Sequence, residues 1–160
     1  MASTTFSGPV TSTAGFISGS DSLVSVTANA TLTSAANAGR TMNFNVASGA
    51  TVTLPAASGT GNIYRFFVQT TVTSNSYKIQ VANASDTMSG IAIVANDADN
   101  SASIFETAAD TDTITLNGTT TGGILGATCE IQDIATNKFS VVLRGAATGT
   151  EATPFSAAVS

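Results

Sequence analysis

The stretch TLPAASGTGNIYRFF, residues 53–67, has two glycines one residue apart and neither Lys nor His. It reads either as a loop that cradles a phosphate or as a turn between two β-strands. A P-loop closes its glycine run with Lys-Ser/Thr, and a dinucleotide fingerprint needs a third glycine opening a helix. Neither is present. The residues after Gly61 are Asn-Ile-Tyr-Arg-Phe-Phe-Val, an aromatic and β-branched run that suits a pleated surface. Pro55 cannot donate to a ladder and ends the first strand, while Gly59 and Gly61 supply positive φ where the chain reverses. The stretch therefore connects two strands.

The same period-two pattern recurs on both sides of it. Met42, Phe44 and Val46 alternate with Asn43 and Asn45, which places the two Asn on the outer side; Val52 and Leu54 resume the pattern. Tyr64, Phe66 and Val68 oppose Ile63, Arg65 and Phe67, so this strand is expected to be covered on much of both faces. Tyr77, Ile79 and Val81 alternate with Lys78 and Gln80, and Ile114 and Leu116 with Thr113 and Thr115. Phe139, Val141 and Leu143 alternate with Lys138, Ser140 and Arg144, and Val142 is the apolar exception outside. Such alternation is the mark of half-buried strands. The Ala-rich window at 33–38 is too short and too rich in Ser and Asn to hold a helix alone. Turn signals separate the strands at 36–39, 48–49, 55–62, 117–118, 122–123 and Gly145. Many short strands with such punctuation predict an all-β fold, a compact β-sandwich, jelly roll or small barrel.

With 160 residues, one domain with a sizeable core is expected. Charged residues are only 9% of the chain, against about a quarter in ordinary proteins, so its polar surface is built from Thr, Ser and Asn. The net charge is −5 with five Lys and Arg, and no basic run could neutralise a row of phosphates. Nucleic acid is not an expected partner. The start lacks a basic region followed by an apolar one, and no later apolar run approaches membrane-spanning length. A soluble product made in the cytoplasm, without a membrane partner, is expected.

Residues 1–20, MASTTFSGPVTSTAGFISGS, are too sparse in apolar side chains for a core of their own and read as an extended N-terminal arm preceding a single β domain over 21–160. Phe6, Phe16 and Ile17 make sense if they dock on another surface. Thr4 and Thr5 could add a strand to an exposed edge, with Pro9 ending that pairing. An N-terminal strand docked on its own domain accounts for the same residues.

Catalytic chemistry finds little to work with. There is no His, the commonest general base and a common zinc ligand, and no nucleophile elbow that would activate one of the many Ser. Asp97 and Asp99, and Asp110 and Asp112, cluster in turns. A calcium loop begun at Asp97 would need Gly and Glu where Ala102 and Ala108 stand, so acidic surface turns are the simpler reading. Nothing selects two carboxylates as a glycosidase pair. The lone Cys129 allows no internal disulfide and, in a strand-like setting, reads as a buried small residue. The glycosylation-type triplets at Asn29, Asn83 and Asn117 are what a Ser/Thr-rich chain produces by chance. No enzyme activity, metal or cofactor is expected.

The segments TTFSGPVTSTAGF, TVTLPAASGTGNIYRFFVQTTVTSNSYKIQVAN, DTITLNGTTTGG and GTEATPFSA together resemble capsid decoration, or head cement, proteins of tailed bacteriophages. The resemblance spans most of the chain and carries no catalytic residue. It implies a small all-β domain of jelly-roll or β-tulip type, commonly a homotrimer, bound to the major capsid protein on the outside of the virion at local threefold positions and assembled in the host cytoplasm. No capsid-binding residue of the family is matched to a position here; the arm's own sequence makes Thr4, Thr5, Phe6, Pro9, Phe16 and Ile17 the expected capsid contacts. A head or tail fibre module that binds a host receptor or glycan is the alternative, although the chain has no Trp and only two Tyr and shows no internal repeat.

Overall fold

A computed structural model describes Ser7 and residues 23–159. Thr4, Thr5, Phe6, Pro9, Phe16 and Ile17 lie outside the described residues. The rest is built of strands, as the alternation predicts: β1 (Leu23–Val26), β2 (Ala30–Thr31), β3 (Thr41–Phe44), β4 (Ala50–Thr53), β5 (Ile63–Val68), β6 (Tyr77–Gln80), β7 (Thr87–Ala95), β8 (Ala102–Glu106), β9 (Thr113–Leu116), β10 (Thr128–Ala135), β11 (Lys138–Ala146) and β12 (Phe155–Ser156). The Ala-rich window does form one helical turn, α1 (Ser34–Asn37). Its N-cap Thr33 accepts the Ala36 N–H at 3.3 Å, and the Asn37 side chain accepts the Thr33 N–H at 2.9 Å. Reciprocal caps hold a turn that propensity alone would not.

The strands form two mixed sheets, one of seven in the order β1-β3-β5-β10-β11-β7-β8 and one of five in the order β12-β9-β6-β4-β2. From β1 to β6 the chain visits the sheets alternately, and each strand stacks parallel on the one before it in its own sheet: β1 on β3 and β3 on β5 in one, β2 on β4 and β4 on β6 in the other. The pattern repeats in shape without repeating in sequence. After β6 the pairing changes. β10 runs antiparallel to both β5 and β11, and β7 lies parallel to β11. The mixed pairing differs from the antiparallel strand sets of jelly rolls.

Inward side chains of both sheets make one core. Phe44 of β3 stacks on Tyr77 of β6 with ring centroids 4.4 Å apart, and on Phe66 of β5 at 5.8 Å. Such pairs contribute about 0.5–1.5 kcal/mol beyond the area they bury. The Tyr77 hydroxyl stands 2.7 Å from the Val46 carbonyl and 2.8 Å from the Thr70 carbonyl, tying two connecting loops to the end of the sandwich. Burial pushes this phenol above its ordinary range, against the opposing hydrogen bond to Val46. The expected inward sets Met42 and Phe44, Tyr77 and Ile79, and Phe139, Val141 and Leu143 are all buried. Asn43 corrects the pattern: it points outward but is buried too, and its side-chain amide donates to Gln69.

Candidate functional site

The glycine loop between β4 and β5 shows what residues 53–67 are for. Gly59 and Gly61 have φ of 77° and 75°, and the loop carries the chain from the five-stranded sheet to the seven-stranded one. Its N–H groups converge as they would around a bound anion, but the anion belongs to the protein. The carboxylate of Asp133 on β10 accepts from Ser58 N–H at 3.0 and 3.2 Å, Gly59 N–H at 2.7 Å, Thr60 N–H at 3.0 Å and the Thr60 hydroxyl at 2.6 Å. Beside it, Ala57 N–H donates at 3.1 Å to Asp86. Asp133 is buried; burial works to raise its carboxyl, but the donors from Thr60, Gly59 and Ser58 outweigh it and hold the group below its ordinary range. Positive φ at Gly59 strains any side chain placed there, and the Ala135 Cα, 3.2 Å from where a Cβ would stand, would have to give way by a few tenths of an ångström.

The four clustered Asp divide. Asp97, Asp99 and Asp110 are exposed in turns, whereas Asp112 is buried, contrary to its reading as a surface acid. It accepts from the N–H groups of Ala158 at 2.8 Å and Val159 at 3.1 Å, so it anchors the chain's end over β9. Among the described residues no three His, Cys, Asp or Glu side chains come together as a metal site. Cys129 is buried, as its setting predicts. Burial first, then the neighbouring Glu130 charge, pushes its thiol up, which leaves it unreactive.

What sequence reasoning missed lies on the outward face of the seven-stranded sheet. The registers align Leu23, Thr41, Arg65, Glu130 and Val142 in one row across β1, β3, β5, β10 and β11, and Phe67, Thr128 and Arg144 in the next. A groove of about 410 Å³ opens there, lined by Leu23, Thr41, Arg65, Phe67, Thr128, Glu130 and Arg144 among others. Arg65 Nε donates to Glu130 Oε2 at 3.0 Å, with both side chains about half exposed at 44% and 51%; such a pair contributes no more than about 1 kcal/mol. Leu23 is 55% exposed and Phe67 half-buried. The signal was the second apolar face of the strand at 63–68, read as covered; the fold leaves it partly open. Leu23, the first residue of β1, lies on the rim of this groove. No helix among the described residues is long and apolar enough to cross a membrane.

No protein-family model, curated protein or solved structure matches the chain.

Proposed function

We propose that the protein is a structural virion component that binds the outer surface of a tailed-phage capsid and stabilises it, acting as a homotrimer. The observation that carries this reading is the grooved, half-apolar outward face of the seven-stranded sheet, at whose rim the first strand, β1, begins with Leu23. It supports a binding role in which the arm and the sheet face meet the major capsid protein together. The resemblance to decoration proteins supplies the partner. A protein that binds only the assembled shell stabilises it by about 2.7 kcal/mol when present at a hundred times its dissociation constant. Three weak arms engaged at once release slowly through effective concentration.

The test compares purified capsids incubated with full-length protein and with protein lacking residues 1–20. Capsid occupancy should fall at least tenfold on truncation, because Phe6, Phe16 and Ile17 each contribute roughly 1.5–3 kcal/mol when fully buried. Binding of the intact protein should change little between low and moderate salt, since few charges are available for screening to weaken. Sedimentation should give the mass of a trimer or of a multiple of it. Unchanged occupancy of the truncated protein rejects the arm mechanism.

The fibre reading, a module binding a host receptor or glycan, is favoured by one observation: the parallel stacking from β1 to β6 is an extensible pattern of the kind a shaft uses. Adsorption of the isolated protein to host cells, with no binding to capsids, would select it.

A further inference from the structure

The seven-stranded sheet ends in β1 at one side and β8 at the other, and no strand among the described residues pairs with the outer edge of β8. β2 and β12, the edges of the other sheet, are two residues long. β8 has five, Ala-Ser-Ile-Phe-Glu, without the Pro, Lys or bulge that commonly blunts an exposed edge. The β7–β8 ladder fixes which backbone groups are free. Thr107 N–H donates to Gly90 O and Asn96 N–H to Ser101 O, each at 3.1 Å, in a register that pairs Ile93 with Ile104 and Ala92 with Phe105. Hydrogen-bonded pairs alternate in such a ladder, so Ser101, Ser103, Phe105 and Thr107 turn their backbone groups toward β7. Ala102, Ile104 and Glu106 turn theirs to the open edge. Ile104 also carries the most exposed large apolar side chain among the described residues, at 65%.

We propose that β8 pairs antiparallel with β8 of a second copy of this chain, about a twofold axis at Ile104. In that register Ile104 meets its own copy and each Ala102 lies opposite the other chain's Glu106. All three outward-turned residues then fall on hydrogen-bonded positions. The single charge of the strand faces a methyl group, and the two Glu106 stand roughly 13 Å apart along the edge at about 3.3 Å per residue, beyond the Debye length of about 8 Å at physiological salt. A register shifted by one residue in either chain would bring inward-facing Phe105 or Ser103 against outward-facing positions. The contact is isologous and closes on itself. It lies at the opposite edge of the sheet from β1, so self-pairing leaves the β1 side of the sheet available and would link neighbouring molecules on a shell.

Single-cysteine crosslinking of the full chain reads the register directly. The two Cα atoms of a hydrogen-bonded antiparallel pair are about 5.5 Å apart, so Ile104→Cys should give a covalent dimer with a short bis-maleimide at micromolar protein. Ala102→Cys, about 13 Å from its copy by the same rise per residue, should give none, and the buried Cys129 of the unmodified chain should not react. Ile104→Pro removes an N–H that points to the open edge and is compatible with an edge strand; with circular dichroism unchanged, it should lower the mass seen in sedimentation to that of the oligomer without β8 pairing. Ile104→Lys, which opposes two ammonium groups, should do the same. Absence of the Ile104→Cys dimer, equal crosslinking at Ala102→Cys, or a mass unchanged by both the Pro and the Lys variant overturns the proposal.

Discussion

Phe139→Asp should leave the chain without a stable fold. Phe139 is 1% exposed in β11, between β10 and β7, where its registered neighbours are Asp133 and Met88. Removing a buried Phe costs about 3–5 kcal/mol in lost burial and cavity alone. The new carboxylate would be buried without a partner, and it would face Asp133 across the strand pair, where directly opposed Cβ atoms are about 4.5–5.5 Å apart and like charges destabilise. The sum exceeds about 5 kcal/mol, comparable to the whole stability of an ordinary domain. Phe139→Leu should cost only about 1 kcal/mol and separates the effect of charge from that of shape. Urea denaturation followed by near-ultraviolet circular dichroism reads both; a wild-type midpoint for Phe139→Asp would disprove the inward placement of this position.

Asp133→Ala should cost about 3 kcal/mol, since the N–H groups of Ser58, Gly59 and Thr60 and the Thr60 hydroxyl lose a charged acceptor. Hydrogen bonds to charged groups contribute about 1.5–3 kcal/mol each, and water can replace part of that because these loop residues are exposed. Asp133→Asn keeps one acceptor oxygen and should fall between the two. The same site sets an acid limit. The folded carboxyl is held below its ordinary range and the unfolded one titrates near about 3.9, so its contribution is complete above that value and disappears as pH falls through the lower, folded one. Melting temperatures of wild type and Asp133→Asn, measured from neutral pH downward, should differ most above about pH 4 and converge below it. Parallel curves across that range would show that the loop does not depend on the charge.

Much of the architecture was legible because strand formation is local. Alternation at Met42–Phe44, Tyr77–Ile79 and Phe139–Leu143 settled which side chains face the core, and that assignment holds at each of them. The glycine stretch was readable as a connection for the same reason, since positive φ and a missing proline donor act within a few residues. Where local reading failed, a distant partner had intervened. Asn43 lies on the outer face yet is buried, beside Phe67 on β5 in register. Asp112 looked like a surface acid because nothing near it in sequence shows that the N–H groups of Ala158 and Val159 come back to it.

By itself the sequence determined that the chain is all-β, which faces of its strands are apolar, that its surface is weakly charged, and that its glycine loop lacks the chemistry of a phosphate site. Only the tertiary structure decided the parallel stacking of β1, β3 and β5, the insertion of β10 between β5 and β11, the use of the loop's donors on Asp133, and the groove and open edge of the seven-stranded sheet. The division has a physical cause. Which face of a strand is buried follows from a two-residue period, whereas which strand lies beside it depends on closing loops between distant segments, and that choice is made by the packing of the whole core.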